Sequence, residues 1–260
     1  MITSTSSAQV KHVLLLQKKA KARRESQEFV VEGIKMVSEA PADRVVKVYI
    51  SETFDKNNEE FKSNLNIESG RIEIVSDHVF MHMSDTQTPQ GVMAIVKMRT
   101  YNIEEILADN ALIIGVENLQ DPGNLGTIVR MGEGAGITGV VMSANTVDIY
   151  NPKTIRSTMG SIYRIPFIYV EDFAKTMFDM KSMGVKVYAA HLDGTMEYTE
   201  PDYKAKTAFL IGNEGNGLTT AAVNAASHLI KIPMEGQVES LNAAIACTVL
   251  TYEAMRQRRN

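Results

Sequence analysis

Three short segments in the second half of the chain combine residue types that can hold a ligand and steer a proton. In the first, Asp121-Pro122-Gly123 makes a turn, Asn124 is suited to cap the helix that follows, and Arg130 lies nearly two turns inside it. A surface arginine on a capped connection would be the bland account. Against it, Gly126, Gly132 and Gly134 each weaken that helix by roughly 1 kcal/mol relative to alanine, which is easier to understand if something approaches its backbone closely. The second segment, Gly212-Asn213-Glu214-Gly215-Asn216-Gly217, has three glycines in six residues, which lets a backbone wrap a ligand, and Thr219 can cap the next helix. It fits neither GxxxxGK[ST] nor GxGxxG, so a P-loop nucleotidase or a dehydrogenase is disfavoured. The third, Ile232-Pro233-Met234-Glu235-Gly236-Gln237-Val238-Glu239-Ser240-Leu241-Asn242, breaks an apolar strand and opens the last helix. Ser240 can cap that helix, whose free N–H groups and partial positive end would face bound polar groups. Asn242, just inside an apolar helix, has no evident structural duty.

The elements that must position these loops are legible. From Ala111 onward, ALIIGVE, GVVM, IPFIYV, VKVYAAHL, TAFLIG and LIKIP read as strands spaced by helices. That alternation predicts an α/β unit with a mostly parallel sheet covered on both faces, whose ligands gather at the carboxyl ends of the strands. Before it, residues 8–22 carry helical apolar spacing at Val10, Val13, Leu14 and Leu16, and EFVVEG, RVVKVYIS, RIEIV and GVMAIV are short β-rich runs. These predict a small α/β domain over 1–98, a linker over 98–105, and a second domain over 105–260.

Composition sets further bounds. The 260 residues, 44% hydrophobic and 22% charged, suit an ordinary soluble protein. Without a long apolar window or an apolar leader, the expectation is a cytoplasmic chain with no membrane partner. The net charge of −4 hides a gradient: six bases against two acids in residues 1–30 give +4, and the remainder carries −8. A basic arm with Lys18, Lys19, Arg23 and Arg24 is suited to RNA phosphates. Cys247 is the only cysteine and sits in an apolar run, as a small buried hydrophobe would. The five histidines are scattered, and His78-Val79-Phe80-Met81-His82 lacks the glutamate of HExxH, so no metal is expected.

In order and spacing, DPGNLGTIVRMGEGAG, LIGNEGNGL and IPMEGQVESLNAAIACTVLTYEAMRQR resemble the three motifs of the SpoU (TrmH-like) family of RNA ribose 2′-O-methyltransferases, in the SPOUT superfamily. EFVVEGIKMVSEA and SDTQTPQGVMAIV resemble the ends of the small L30e-like RNA-binding domain that precedes the catalytic domain in many members. The resemblance, over roughly residues 6–260, implies an α/β sheet with a C-terminal trefoil knot, a homodimer with sites completed by the partner, and S-adenosylmethionine as cofactor. It implies cofactor contacts at Gly212, Ile232 and Leu241, with Asn213, Glu214, Gly217, Met234 and Ser240 nearby. Asn124 and Arg130 are the catalytic candidates it supplies, with Glu214, Ser240 and Asn242 orienting the ribose, Arg130 and the cofactor. A ribose hydroxyl must be held in line, about 3 to 3.5 Å from the methyl. Guanidinium, with a pKa above about 12, is a poor base, so Arg130 is better suited to gripping the target phosphate. The expected substrate is 23S ribosomal RNA. Transfer RNA, or a silent RNA-binding or ribosome-assembly role on the same fold, are the alternatives, and housekeeping and antibiotic-resistance methylation both fit.

Overall fold

The computed structural model describes residues 1–259, and the statements below concern those residues. Two compact units result. The first comprises Met1–Arg99 together with Asp148–Tyr163, the second Thr100–Val147 together with the chain from Arg164 onward. Residues 148–163, which the sequence pattern places in the second domain, therefore pack with the first. The cause is a set of long-range contacts that no periodicity announces: the Phe29 and Tyr150 rings lie 4.6 Å apart, and Tyr163 Oη donates to Met36 O at 2.8 Å.

In the first unit, strands β1 (Glu28–Glu32), β2 (Val45–Ser51), β3 (Ile72–Val75) and β4 (Val92–Lys97) form a sheet in the order β1-β4-β2-β3. β4 pairs antiparallel with β1 and β2, and β2 pairs parallel with β3. The expected N-terminal helix is present but broken. Ala8–Lys18 is capped by Ser7, Lys19 is extended, and a second helix runs over Ala20–Ser26. The stripe Val10, Val13 and Leu16 is buried among Val30, Tyr49, Phe80, Met83 and Met93, so the helix is as much a core element as a basic arm.

The break gives Arg23 a different role from the expected one. Instead of meeting RNA phosphate, its side chain is enclosed and only 3% exposed. The guanidinium donates to Leu16 O at 2.6 Å and Gln17 O at 3.1 Å, closing carbonyls that the helix end leaves open, and pairs with Asp148 Oδ2 at 2.6 Å. A cation so enclosed is spent on structure and not offered to a ligand. Lys18, Lys19 and Arg24 remain exposed.

In the second unit, strands β5 (Leu112–Val116), β6 (Gly139–Ser143), β7 (Phe167–Val170), β8 (Lys186–Ala190), β9 (Met196–Glu197), β10 (Thr207–Ile211) and β11 (His228–Lys231) lie in the order β7-β6-β5-β10-β8-β11-β9. Every neighbouring pair is parallel. β5, β6 and β10 are buried along their whole length, as strands covered on both faces must be. Ile113, Val141, Ala208 and Leu210 meet Phe173, Met177 and Met180 of the Phe173–Ser182 helix. Because the strands are parallel, the turns after β5, β10 and β11 all leave the carboxyl end of the sheet, and these are the turns that carry the three segments.

Two glycines of the Pro122–Ala135 helix, Gly132 and Gly134, are explained by the protein's own packing. A Cβ on Gly132 would lie 2.4 Å from Ile137 Cδ1, and one on Gly134 would lie 3.1 Å from Tyr252 Oη. The close approach anticipated from sequence is made by neighbouring side chains. Among the described residues, no helix is long and apolar enough to cross a membrane.

Candidate active site

The site grows from the turn after β5. Asp121, not Asn124, caps the Pro122–Ala135 helix: its carboxylate accepts from Asn124 N at 2.8 Å, and Pro122 fills the first helical position. Asn124 is thereby freed from capping. Its Nδ2 donates to Glu214 Oε1 at 3.0 Å, and its Oδ1 accepts from Asn242 Nδ2 at 3.0 Å. One residue from each segment thus joins a single chain of hydrogen bonds, Asn242 to Asn124 to Glu214.

Asn242 also has the structural duty that the sequence concealed. Its Oδ1 accepts from Ala244 N at 2.9 Å and Ile245 N at 3.3 Å, capping the Ala243–Arg259 helix in place of Ser240. Both amides are consequently fixed in rotation. Each has an Oδ1 that accepts and an Nδ2 with one hydrogen committed, which leaves a second hydrogen on each for a ligand.

Glu214 receives two further donors, Gln120 N at 3.3 Å and Asp121 N at 3.2 Å. Partial burial pushes its carboxyl upward, but hydrogen bonds from Asn124 and from the backbone outweigh this and hold it below the usual carboxylate value. The group is therefore an anion near neutrality. It organises the N-terminal turn of the helix carrying Asn124 and cannot donate a proton there.

The glycine-rich turn is a closed hairpin. Asn213 and Gly217 exchange backbone hydrogen bonds at 3.0 and 2.9 Å. A Cβ on Gly212 would lie 2.2 Å from Gly217 C, so only glycine fits there, and Gly217 holds φ +66. Thr219 caps the Thr220–Ala225 helix as expected. By contrast, Ile232–Leu241 forms no hydrogen bond of its own among the described residues. Ile232, Met234 and Leu241 are half-buried there between exposed neighbours, Ser240 included. An unspent backbone beside partly covered apolar side chains suits the donors, acceptors and adenine face of a nucleoside-like cofactor.

Arg130 stands apart. It follows Asn124 by six residues, about 240° around the helix, is exposed, and its side chain makes no hydrogen bond or ion pair among the described residues. The structure joins Asn124, Glu214 and Asn242 by hydrogen bonds, and the side chains of Arg130 and Ser240 have no hydrogen bond to them among the described residues. Residues that sequence reasoning missed lie at the end of β5. Glu117 is 5% exposed, and Asn118 adopts φ +56. The available signal was a glutamate ending the apolar run ALIIGVE.

Comparisons with known proteins place the chain in a family. The profile of the SpoU rRNA Methylase family matches residues 111–252. The chain belongs to that family. The profile of the MRM3-like substrate binding domain matches residues 7–94. Among its relatives is the 23S rRNA (guanosine(2553)-2′-O)-methyltransferase RlmP of Bacillus subtilis, 33% identical over 96% of this chain and 97% of that one. Among solved structures, the AdoMet-bound rRNA methyltransferase of Sinorhizobium meliloti superposes with a TM-score of 0.86 at 31% identity, covering 98% of this chain and 97% of that one. The SpoU methyltransferase AviRb of Streptomyces viridochromogenes, in complex with AdoMet, gives 0.85 at 26% identity over 97% and 99%.

Proposed function

We propose that this chain methylates a ribose 2′-hydroxyl of 23S ribosomal RNA, using S-adenosylmethionine, as a cytoplasmic homodimer whose C-terminal segment is threaded into a trefoil knot. The observation that carries the reading is the Asn242–Asn124–Glu214 chain, built from three loops at the carboxyl end of the sheet. The cofactor would be held by Gly212, Asn213, Gly217, Ile232, Met234 and Leu241 through backbone groups and apolar contact, with Ser240 beside them. Bound there, it supplies an electrophilic methyl on a sulfonium centre.

The chain's own residues do the positioning. Asn124 and Asn242 each offer an uncommitted amide hydrogen, and their fixed rotation lets them hold a ribose oxygen in one orientation without reorganisation. Glu214, kept ionised, fixes Asn124 and adds negative potential that favours an approaching sulfonium. Arg130, unpartnered and on the outer side of its helix, is available to grip the phosphate next to the target ribose, and in a homodimer it can do so for the partner's site. Lys18, Lys19 and Arg24 add sequence-independent phosphate contact.

The test is transfer of labelled methyl from S-adenosylmethionine to unmodified 23S ribosomal RNA and to transfer RNA, with the modified ribose mapped. Label at one 2′-hydroxyl of 23S RNA that disappears with Arg130→Ala supports the reading. Label only in transfer RNA replaces the substrate. Cofactor binding without transfer to either, or no binding, favours a silent RNA-binding role.

A further inference from the structure

The end of β5 holds both ends of the glycine-rich turn. Glu117 buries its carboxylate, and both oxygens go to Thr219: Oε2 accepts from Thr219 N and Oε1 from Thr219 Oγ1, each at 2.7 Å. The Thr219 hydroxyl, having donated to Glu117, accepts from Ala222 N at 3.2 Å. Asn213, at the other end of the turn, donates through Nδ2 to Asn118 O at 2.8 Å and accepts through Oδ1 from Gly215 N and Asn216 N. Asn118 can present that carbonyl because of its left-handed backbone, fixed by Asn118 N donating to Ser143 Oγ at 2.8 Å and Ser143 Oγ donating to Asn118 Oδ1 at 3.1 Å.

A buried carboxylate is tolerated only when its acceptors are filled, and Thr219 is the single residue that fills this one among the described residues. An apolar side chain at 117 would suit the strand better. The charge is therefore tied to the turn it holds and not to the core around it. That turn bears Gly212, Asn213 and Gly217, all of them in the proposed cofactor site, and Glu214, which faces Asn124.

From this we infer that Glu117 is a positioning residue for cofactor binding: it fixes the Gly212–Leu218 turn through Thr219 while Asn118 fixes the other end through Asn213. The inference rests on the proposed S-adenosylmethionine reading. The three donors to Glu214, from Gln120, Asp121 and Asn124, include neither Glu117 nor Thr219, so loss of the clamp is expected to weaken binding more than turnover.

The experiment is calorimetric titration of the full-length protein with S-adenosylmethionine, alongside steady-state kinetics in both substrates. Glu117→Ala is expected to raise Kd and KM for the cofactor about tenfold or more, leaving kcat at saturating cofactor and KM for RNA within about threefold. Thr219→Val removes the same hydroxyl link from the other side and should act alike, while Thr219→Ser restores wild-type affinity. The Thr219 pair decides the matter should Glu117→Ala fail to fold. Unchanged cofactor affinity in Thr219→Val, or equally weakened binding of cofactor and RNA, would overturn the clamp. A wild-type protein that binds no S-adenosylmethionine would instead overturn the cofactor reading itself, and the clamp with it.

Discussion

Replacing Arg23 by methionine separates a structural cation from an RNA-binding one. The side chain is 3% exposed, and it serves Asp148 Oδ2 at 2.6 Å and two carbonyls at the broken end of the first helix. Removing one member of a buried pair typically costs about 3 to 5 kcal/mol, mostly because the other is left uncompensated. The Asp148 side chain is 24% exposed and can recover some hydration, so the low end applies, about 3 kcal/mol. For a chain of this size that lowers the melting temperature by roughly 10 °C. Thermal melting and denaturant titration read the loss. Adding Asp148→Leu to Arg23→Met should return part of it, because the orphaned charge is then gone. Filter binding to ribosomal RNA across a salt series reads the other half. Arg23→Met should leave the log–log slope unchanged, whereas Lys18→Ala, Lys19→Ala and Arg24→Ala together should flatten it by roughly 0.7 to 0.9 for each phosphate no longer neutralised, with little change in stability. An Arg23→Met protein that melts within about 1 °C of wild type, and whose slope flattens by the equivalent of a whole phosphate, would refute the structural assignment.

Asn242→Ser should keep the last helix capped, since serine is as good a cap as asparagine, yet remove the donor to Asn124; stability holds and kcat falls about tenfold or more, about 1.4 kcal/mol, in single-turnover methyl transfer. Arg258 donates to the carbonyls of Tyr203, Asn110, Ala111 and Ala205, so Arg258→Met should lower stability by about 2 to 4 kcal/mol in denaturant titration. Burial pushes the Cys247 thiol up to about 12, so iodoacetamide should label it at pH 8 only at the rate of unfolding. Glu214 has its carboxyl held below the ordinary 4.5. A depressed carboxylate stabilises fully above its unfolded value and loses that contribution as pH falls through the folded one, so the folding stability that Glu214→Gln removes in denaturant titration should be constant from neutrality down to the ordinary carboxylate range and vanish as pH falls below it.

The strands were readable because they are apolar runs set between turn residues, and each expected strand of the second unit lies within about two residues of its observed position. The three segments were readable because glycine, proline and asparagine mark turns by their backbone chemistry. Caps were the weak point. Asp121 and Asn124 are both good caps three residues apart, as are Ser240 and Asn242 two apart, and only three-dimensional placement decided which was used. Long-range polar contacts were not readable either. Nothing local distinguishes Arg23 from Arg24, yet successive helical positions face about 100° apart, which puts Arg23 inside and Arg24 outside.

The return of residues 148–163 to the first unit bears on how the chain is made. A ribosome releases residues 1–99 well before the segment carrying Asp148, Tyr150 and Tyr163. Until that segment emerges, Arg23 has no carboxylate, Phe29 lacks the Tyr150 ring, and Met36 O has no phenol donor. The strands of the N-terminal sheet all lie within residues 28–97 and can pair before then, but the side-chain packing of this unit is completed only after Tyr163 has left the exit tunnel. A gene truncated at the apparent boundary near residue 99 would give a fragment with an exposed aromatic notch and an unpaired buried cation, prone to aggregate where the whole chain does not.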